Sequence, residues 1–364
     1  MTRRDLLIGT AAATLCGGAG AFASRAAAPG SPGPGTASID PALFSAWAAR
    51  FVEPSGRVID DGNRGISHSE GQGYGLLLAA FAGDRAAFER MRGWTDRVLK
   101  RPDDLHRWRY DPAAADPMAD PNNATDGDLL IAWALAEGAA RWGDAALRLA
   151  GARIARAVMR LTVIPGEGGP LILPGAAGFG AGDRPDGPVV NPSYWVFPAF
   201  PALAGLAPEF DWTGLAASGL DLIARARFGE RQLPADWVAL GGGRMRPANG
   251  FDPVFGWNAI RVPLYLAFAG TGPYGGSRAH LAPFAALWPA GGTTDPAAVD
   301  LLGRAGPARF GSSGYRAVPA IVACALDGTR YPEPLRHFEG EAYYPATLRL
   351  LALAAARSRY PECL

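Results

Sequence analysis

The sequence predicts an all-α fold, a ring of helical hairpins around a central axis. Three observations carry that expectation. Apolar residues recur at helical spacing along the whole chain, as in Leu129, Leu130, Trp133, Ala134 and Ala136. Strand signals are few. The helical segments are joined by alternating short and long connections, which suits hairpins packed side by side. Helix number alone does not separate a ring from a solenoid, but no fixed-period repeat of the solenoid kind is present.

The first thirty residues read as an export signal. Arg3 and Arg4 stand before an apolar run from Leu6 to Leu15, and Ala21-Phe22-Ala23 offers a small-x-small cleavage site. Residues 1–23 are therefore expected to be a signal peptide of the twin-arginine or ordinary type, placing the mature protein in the periplasm or outside the cell. The apolar run is too short, and too interrupted by Gly, to span a membrane. Residues 24–39 contain PGSPGPGT and read as a linker. Residues 40–364 read as one domain, since no second linker of this kind follows.

Within that domain, helices are predicted over 41–53, 71–82, 84–100, 126–141, 144–160, 212–228, 258–269, 279–288, 296–304, 315–326 and 341–357. LTVIPG and GPLILPG, at 161–166 and 169–175, can form one short hairpin. The stretches 101–125, 161–194 and 229–257 are rich in Gly, Pro and Asp, and loops of that length in a compact domain are usually functional.

Composition narrows the function classes. Of 364 residues 49% are hydrophobic and 19% charged, so a large core is expected and disorder is not. The formal net charge is +1 with no basic stripe, which argues against a nucleic-acid partner and suits a neutral polymer. His68, His106, His280 and His337 show no metal spacing. No phosphate loop, dinucleotide fingerprint or Ser–His arrangement stands out, so neither cofactor nor metal is expected. Cys16 leaves with the signal; Cys324 and Cys363 either pair or remain a buried and a terminal free thiol.

Two stretches carry the chemistry. One is Ser67-His68-Ser69-Glu70-Gly71-Gln72-Gly73-Tyr74-Gly75; the other is Asn122-Asn123-Ala124-Thr125-Asp126-Gly127-Asp128. Both put carboxylates beside glycines at the start of a helix. Ser67 with Glu70, and Thr125 with Asp128, also fit capping boxes. Glycine permits close approach of a planar ligand to the backbone. Glycosidic cleavage uses two flanking carboxyl groups, one protonated and one ionised, and neighbouring acids push their pKa values apart.

SEGQGYG, ATDGDLLIAWAL and RWGD resemble glycoside hydrolase family 8, most of all its endoglucanases encoded with bacterial cellulose synthase. GRVID (56–60), AGDRAAFERMRGW (82–94), Asn191-Pro192-Ser193-Tyr194, Pro234-Ala235-Asp236-Trp237, Asn258-Ala259-Ile260-Arg261 and Tyr343-Tyr344 follow the same order. The resemblance spans about residues 50–350. It implies an (α/α)6 barrel with a substrate groove across one end, and hydrolysis of a β-1,4-glucan chain with inversion. It also implies trimming of glucan in association with a cellulose synthase complex. By resemblance Glu70 is the general acid, and Asp126 contacts the sugar at the cleavage point; Asp128 is left to capping. Family endoglucanases commonly carry an Asp general base directly before Ala-Ile-Arg, where this chain has Asn258. An amide orients water but does not accept its proton. The base then comes from elsewhere, with Asp252 and Asp126 as the acids to test, or the chain is a weakened enzyme or a glucan-binding relative. Chitosan, xylan and mixed-linkage glucan are the alternative polymers.

Trp108, Tyr110, Tyr194, Trp195, Trp237 and Trp257 lie in loops or at helix ends, where the groove is expected, and aromatic faces stack on pyranose rings. Tyr74, one turn from Glu70, is expected to join them. Arg261 either bonds the sugar, orients Asp126 or makes a surface ion pair. Trp94, Trp133 and Trp142 sit in helical patterns and are expected in the core.

Overall fold

The structure, a computed structural model, describes Gly35 and residues 37–289 and 291–364. The expected signal peptide and most of the linker lie outside the described residues. Among those described, no helix is long and apolar enough to cross a membrane.

The helices in chain order are α1 (Pro41–Phe51), α2 (Ser69–Ala82), α3 (Arg85–Val98), α4 (Thr125–Trp142), α5 (Ala145–Leu161), α6 (Phe200–Leu206), α7 (Trp212–Arg225), α8 (Arg261–Ala269), α9 (Arg278–Leu287), α10 (Ala317–Asp327) and α11 (Tyr343–Arg359). A helix inside a ring meets protein on every side and is apolar all round, whereas an outer helix is amphipathic. That division holds here. α2, α4, α8, α10 and α11 are buried along most of their length, while α1, α3, α5, α7 and α9 bury one face. The inner helices follow one another round the ring as α2, α4, α6, α8, α10, α11 and back to α2, with the 3-10 turn Phe197–Ala199 standing between α6 and α8. This is the (α/α)6 barrel that the sequence led us to expect.

Local sequence makes the hairpins. Gly83 ends α2 in the left-handed conformation, and the Asp84 side chain then accepts from Ala87 N at 2.9 Å to start α3. Gly143 ends α4 in the same way, and Asp144 accepts from Ala146 N at 3.0 Å to start α5. Gly relieves the Cβ clash at the stop and Asp caps the start, each cap contributing about 1 kcal/mol. Because an outer helix returns between successive inner ones, the inner helices all begin at the same end of the ring. Between α10 and α11 the outer place is taken by residues 328–342, with one 3-10 turn at Glu333–Arg336. Buried Arg349 of α11 fixes this segment, donating to Pro334 O at 3.0 Å and His337 O at 2.6 Å. At the opposite end of the barrel, Gly35 N donates to Glu137, and Trp133 Nε1 donates to the same carboxyl at 2.8 Å. Burial pushes the Glu137 carboxyl up to about 7.

Short antiparallel pairs brace the loops: β1 (Ser67–His68) with β2 (Arg109–Tyr110), and β3 (Val163–Ile164) with β4 (Leu171–Ile172), which is the expected hairpin. β5 (Val189–Val190), β6 (Val238–Ala239) and β7 (Arg246–Pro247) form one small sheet. β8 (Val254–Phe255), β9 (Ala297–Asp300) and β10 (Ala308–Arg309) form another. The helix expected over 296–304 is therefore a strand and a turn. Pro296 and Gly303 leave room for only a short segment, which pairs with β8, and Asp300 then accepts the N–H groups of Leu302, Arg304 and Ala305. Conversely, α6 was not expected: its run is apolar all round and broken by Pro198 and Pro201, so no period shows. Cys324 and Cys363 are joined by a disulfide, with Cα atoms 6.1 Å apart.

Candidate active site

The first turns of α2 and α4 settle what their carboxylates are doing. His68 is the N-cap of α2, its Nδ1 accepting from Gly71 N at 2.9 Å, while Ser67 Oγ donates to Val58 O at 2.6 Å. The Ser67–Glu70 capping box is thus not formed, and Glu70 is left for other work. Nor is the second box formed: α4 starts from Ala124, and Thr125 Oγ1 donates to Leu173 O at 2.7 Å. Asp128 is a loop anchor instead of a cap. It accepts from His106 N and His106 Nδ1, both at 2.9 Å, and from Asn123 Nδ2 at 3.0 Å.

The glycines bring the two helices together. A Cβ on Gly127 would lie 2.1 Å from Ser69 Oγ and 2.7 Å from Glu70 N, and one on Gly73 would lie 2.6 Å from Leu130 Cβ. They permit helix to meet helix, where sequence reasoning had them admit a ligand. The result sets Glu70 and Asp126 side by side.

Arg261, at the start of α8, joins them. Its Nη1 donates to Glu70 Oε2 and, at 2.7 Å, to Asp126 Oδ2; its Nη2 donates to Asn258 Oδ1 at 2.8 Å. The arginine is 1% exposed, so it is no surface ion pair. Burial opposes its charge, but the two carboxylates hold it protonated. One cation balances one carboxylate. Burial pushes the Asp126 carboxyl up to about 7, with Arg261 pulling against it and the Glu70 charge adding to it. Behind Asn258 lies Asp236, which accepts from Gly256 N and Ala259 N at 2.8 Å and from Asn258 Nδ2 at 3.4 Å. Burial raises its pKa, and the backbone N–H groups oppose the rise. It fixes the turn that presents Trp257 and Asn258.

An open cleft of about 350 Å³ lies at the end of the ring where the inner helices begin. Of the residues singled out in the sequence, Glu70, Asp126, Asn258, Arg261, Trp108, Tyr194, Trp237 and Trp257 line it. Trp237 stacks at 4.4 Å on Phe251 and 5.8 Å from Phe179. Trp257 is 49% exposed and rests on Phe310 at 4.2 Å. The Trp108 indole donates to Asp120 at 2.7 Å. The cleft thus has flat apolar faces around a charged floor.

Four expected residues are elsewhere. Tyr74 is fully buried, its hydroxyl bonded to that of Tyr265, because one turn further along α2 is one turn deeper into the barrel. Trp195 is also in the core, its indole donating to Leu215 O at 2.9 Å. Tyr110 packs edge-on against Trp94 at 5.5 Å. Asp252 is exposed on the long loop and does not line the cleft. Three residues that do matter, Asp60, Asp236 and Tyr344, stood in GRVID, Pro234–Trp237 and Tyr343-Tyr344 without a role drawn for them.

A helical ring with a carboxyl pair on a buried arginine, under aromatic walls, defines a carbohydrate-cleaving barrel. The chain belongs to glycosyl hydrolases family 8, which matches residues 34–358. It is 42% identical over 224 residues to an endoglucanase of Cellulomonas uda, covering 61% of this chain and 62% of that one, a little under two thirds of the relative's length. It is 37% identical over 325 residues to a probable endoglucanase of Novacetimonas hansenii, covering 86% of this chain and 91% of that one. The solved endo-β-1,4-glucanase of Acetobacter xylinum superposes with a TM-score of 0.77 at 34% identity, covering 87% of this chain and 98% of that one.

Proposed function

We propose that this chain is an endo-β-1,4-glucanase that hydrolyses cellulose-type glucan with inversion at the anomeric carbon. The observation that carries the reading is the meeting of Glu70 and Asp126 on one buried guanidinium, at the floor of a cleft walled by tryptophans. Glu70 is 16% exposed and Asp126 1%, so Glu70 is the carboxyl that reaches substrate. It gives its proton to the leaving glycosidic oxygen as that bond breaks. Arg261, which bonds both carboxyls, holds Glu70 in place beside Asp126. The names of the relatives support glucan as substrate. We place the enzyme outside the cytoplasm, trimming glucan made by a cellulose synthase complex; the N-terminal sequence pattern and the family resemblance support that part.

Reducing-sugar release from carboxymethyl cellulose by the mature protein tests the reading. Glu70→Gln is expected to lower turnover by about 10²-fold to 10⁴-fold or more while cello-oligosaccharide binding persists in calorimetry. Activity retained by the variant would remove Glu70 as the acid. Binding without hydrolysis by the wild type would make this a glucan-binding protein.

A further inference from the structure

An inverting hydrolase needs a second carboxylate, about 6.5–9.5 Å from the acid, to take a proton from the attacking water. Asn258 cannot do so. Asp126 is unsuited too. It shares one guanidinium nitrogen with Glu70, which leaves no space for water between the pair, and its side chain is only 1% exposed. Asp252 does not reach the cleft.

One other carboxylate among the described residues lines it. Asp60 lies in the cleft wall with its side chain 13% exposed. Its position is rigid: Asp60 N donates to Ile66 O at 2.9 Å, Gly65 N returns to Asp60 O at 2.9 Å, and Asp60 Oδ1 accepts from Gly62 N at 3.1 Å. Asp60 Oδ2 lies 3.3 Å from His68 Nε2. Because His68 Nδ1 accepts from Gly71 N, the neutral ring carries its proton on Nε2 and donates it to Asp60. The imidazole therefore stands as a spacer between Asp60 and the first turn of α2, where Glu70 is. Asp60 is thus held apart from Glu70, with neither Arg261 nor any other cation among the described residues bonded to both of them, and both carboxyls line the same cleft.

We propose that Asp60 is the general base of this enzyme, oriented by His68, and that it replaces the carboxylate missing at position 258. The step balances. The water oxygen bonds to the anomeric carbon as the glycosidic bond breaks. The water proton goes to Asp60 and the Glu70 proton to the leaving oxygen, so one water is consumed and an α-configured reducing end is released. The inference rests on the glucanase reading above, and the experiment separates the two.

Initial rates on carboxymethyl cellulose and the anomer released from cello-oligosaccharides are measured for wild type, Asp60→Asn, Asp60→Ala and Asp252→Asn, with thermal midpoints for each. Asp60→Asn keeps an acceptor for Gly62 N–H, which guards against misfolding. The expected result is a loss of about 10²-fold to 10⁴-fold in both Asp60 variants and none in Asp252→Asn. Azide, a nucleophile that needs no base, then restores turnover of Asp60→Ala with an α-glycosyl azide as product. A merely structural Asp60 does not give that rescue. Asp60→Asn within a few-fold of wild type overturns the proposal and leaves the glucanase reading standing. Loss without azide rescue in a folded variant does the same, and release of the β-anomer by the wild type overturns both the proposal and the inverting course of the proposed function. A wild type without hydrolysis overturns both.

Discussion

Arg261 fixes three side chains from three segments, and the orientation of Asn258 follows from it. The amide oxygen must face the guanidinium, so its nitrogen faces Asp236, 3.4 Å away. An aspartate at 258 would keep the arginine contact but set a carboxylate against a buried carboxylate. Asn258→Asp is therefore expected to lower stability by about 1–3 kcal/mol, since Asp236 loses a donor. Adding Asp236→Asn should recover part of that loss in a denaturant double-mutant cycle; additive effects would show that the two side chains are not coupled. At this scale the sequence revealed much of the site. Glu70, Asp126 and Arg261 were legible from motifs, but depth was not. Tyr74 and Trp195 have the right chemistry near the right residues, and only the helix axis and the packing of α7 decide that both point into the core.

Between elements, the pair of glycines facing across α2 and α4 is what places Glu70 beside Asp126. Gly127→Ala puts a methyl carbon 2.1 Å from Ser69 Oγ and 2.7 Å from backbone at Glu70, so α4 must move away. The expected outcome is a loss of about 1–3 kcal/mol, with kcat reduced more than KM because Glu70 and Asp126 separate. Gly205→Ala, in α6 with nothing within 4 Å of the added carbon, is the control and should leave both unchanged. Steady-state kinetics with chemical denaturation of the two variants checks this. The amphipathic outer helices were legible in sequence because each has a solvent face to give a period. The Gly-Asp pairs at 83–84 and 143–144 mark hairpin corners in plain text. The inner α6, apolar on all sides, gave no such signal, and the edge offered by β8 to residues 297–300 is a tertiary fact that local pattern does not contain.

Over the whole molecule, the disulfide and the ring closure act on the same end of the chain. Cys324 and Cys363 lie 39 positions apart in sequence and close a loop that includes all of α11, and removing the bond by Cys363→Ser is expected to cost about 4 kcal/mol through the entropy of the unfolded chain. Guanidinium titrations of wild type and variant, both without reductant, measure it; coincident midpoints would show that the bond adds nothing. Closure itself runs from one terminus to the other. Trp47 Nε1 of α1 donates to Thr347 Oγ1 of α11 across 300 residues, and Tyr343 N donates to Asp61 Oδ1 across 282. The order of synthesis gives that contact a consequence. As the chain leaves the ribosome, the face of α1 carrying Phe44, Trp47 and Phe51 emerges early; α2 soon meets one side of it, but the other side lacks its neighbour until Tyr343–Arg359 is made. Nearly the entire polypeptide is translated with that side waiting. A chain stopped before its last helix is consequently an open barrel, sticky at the seam and without the wall that carries Tyr344.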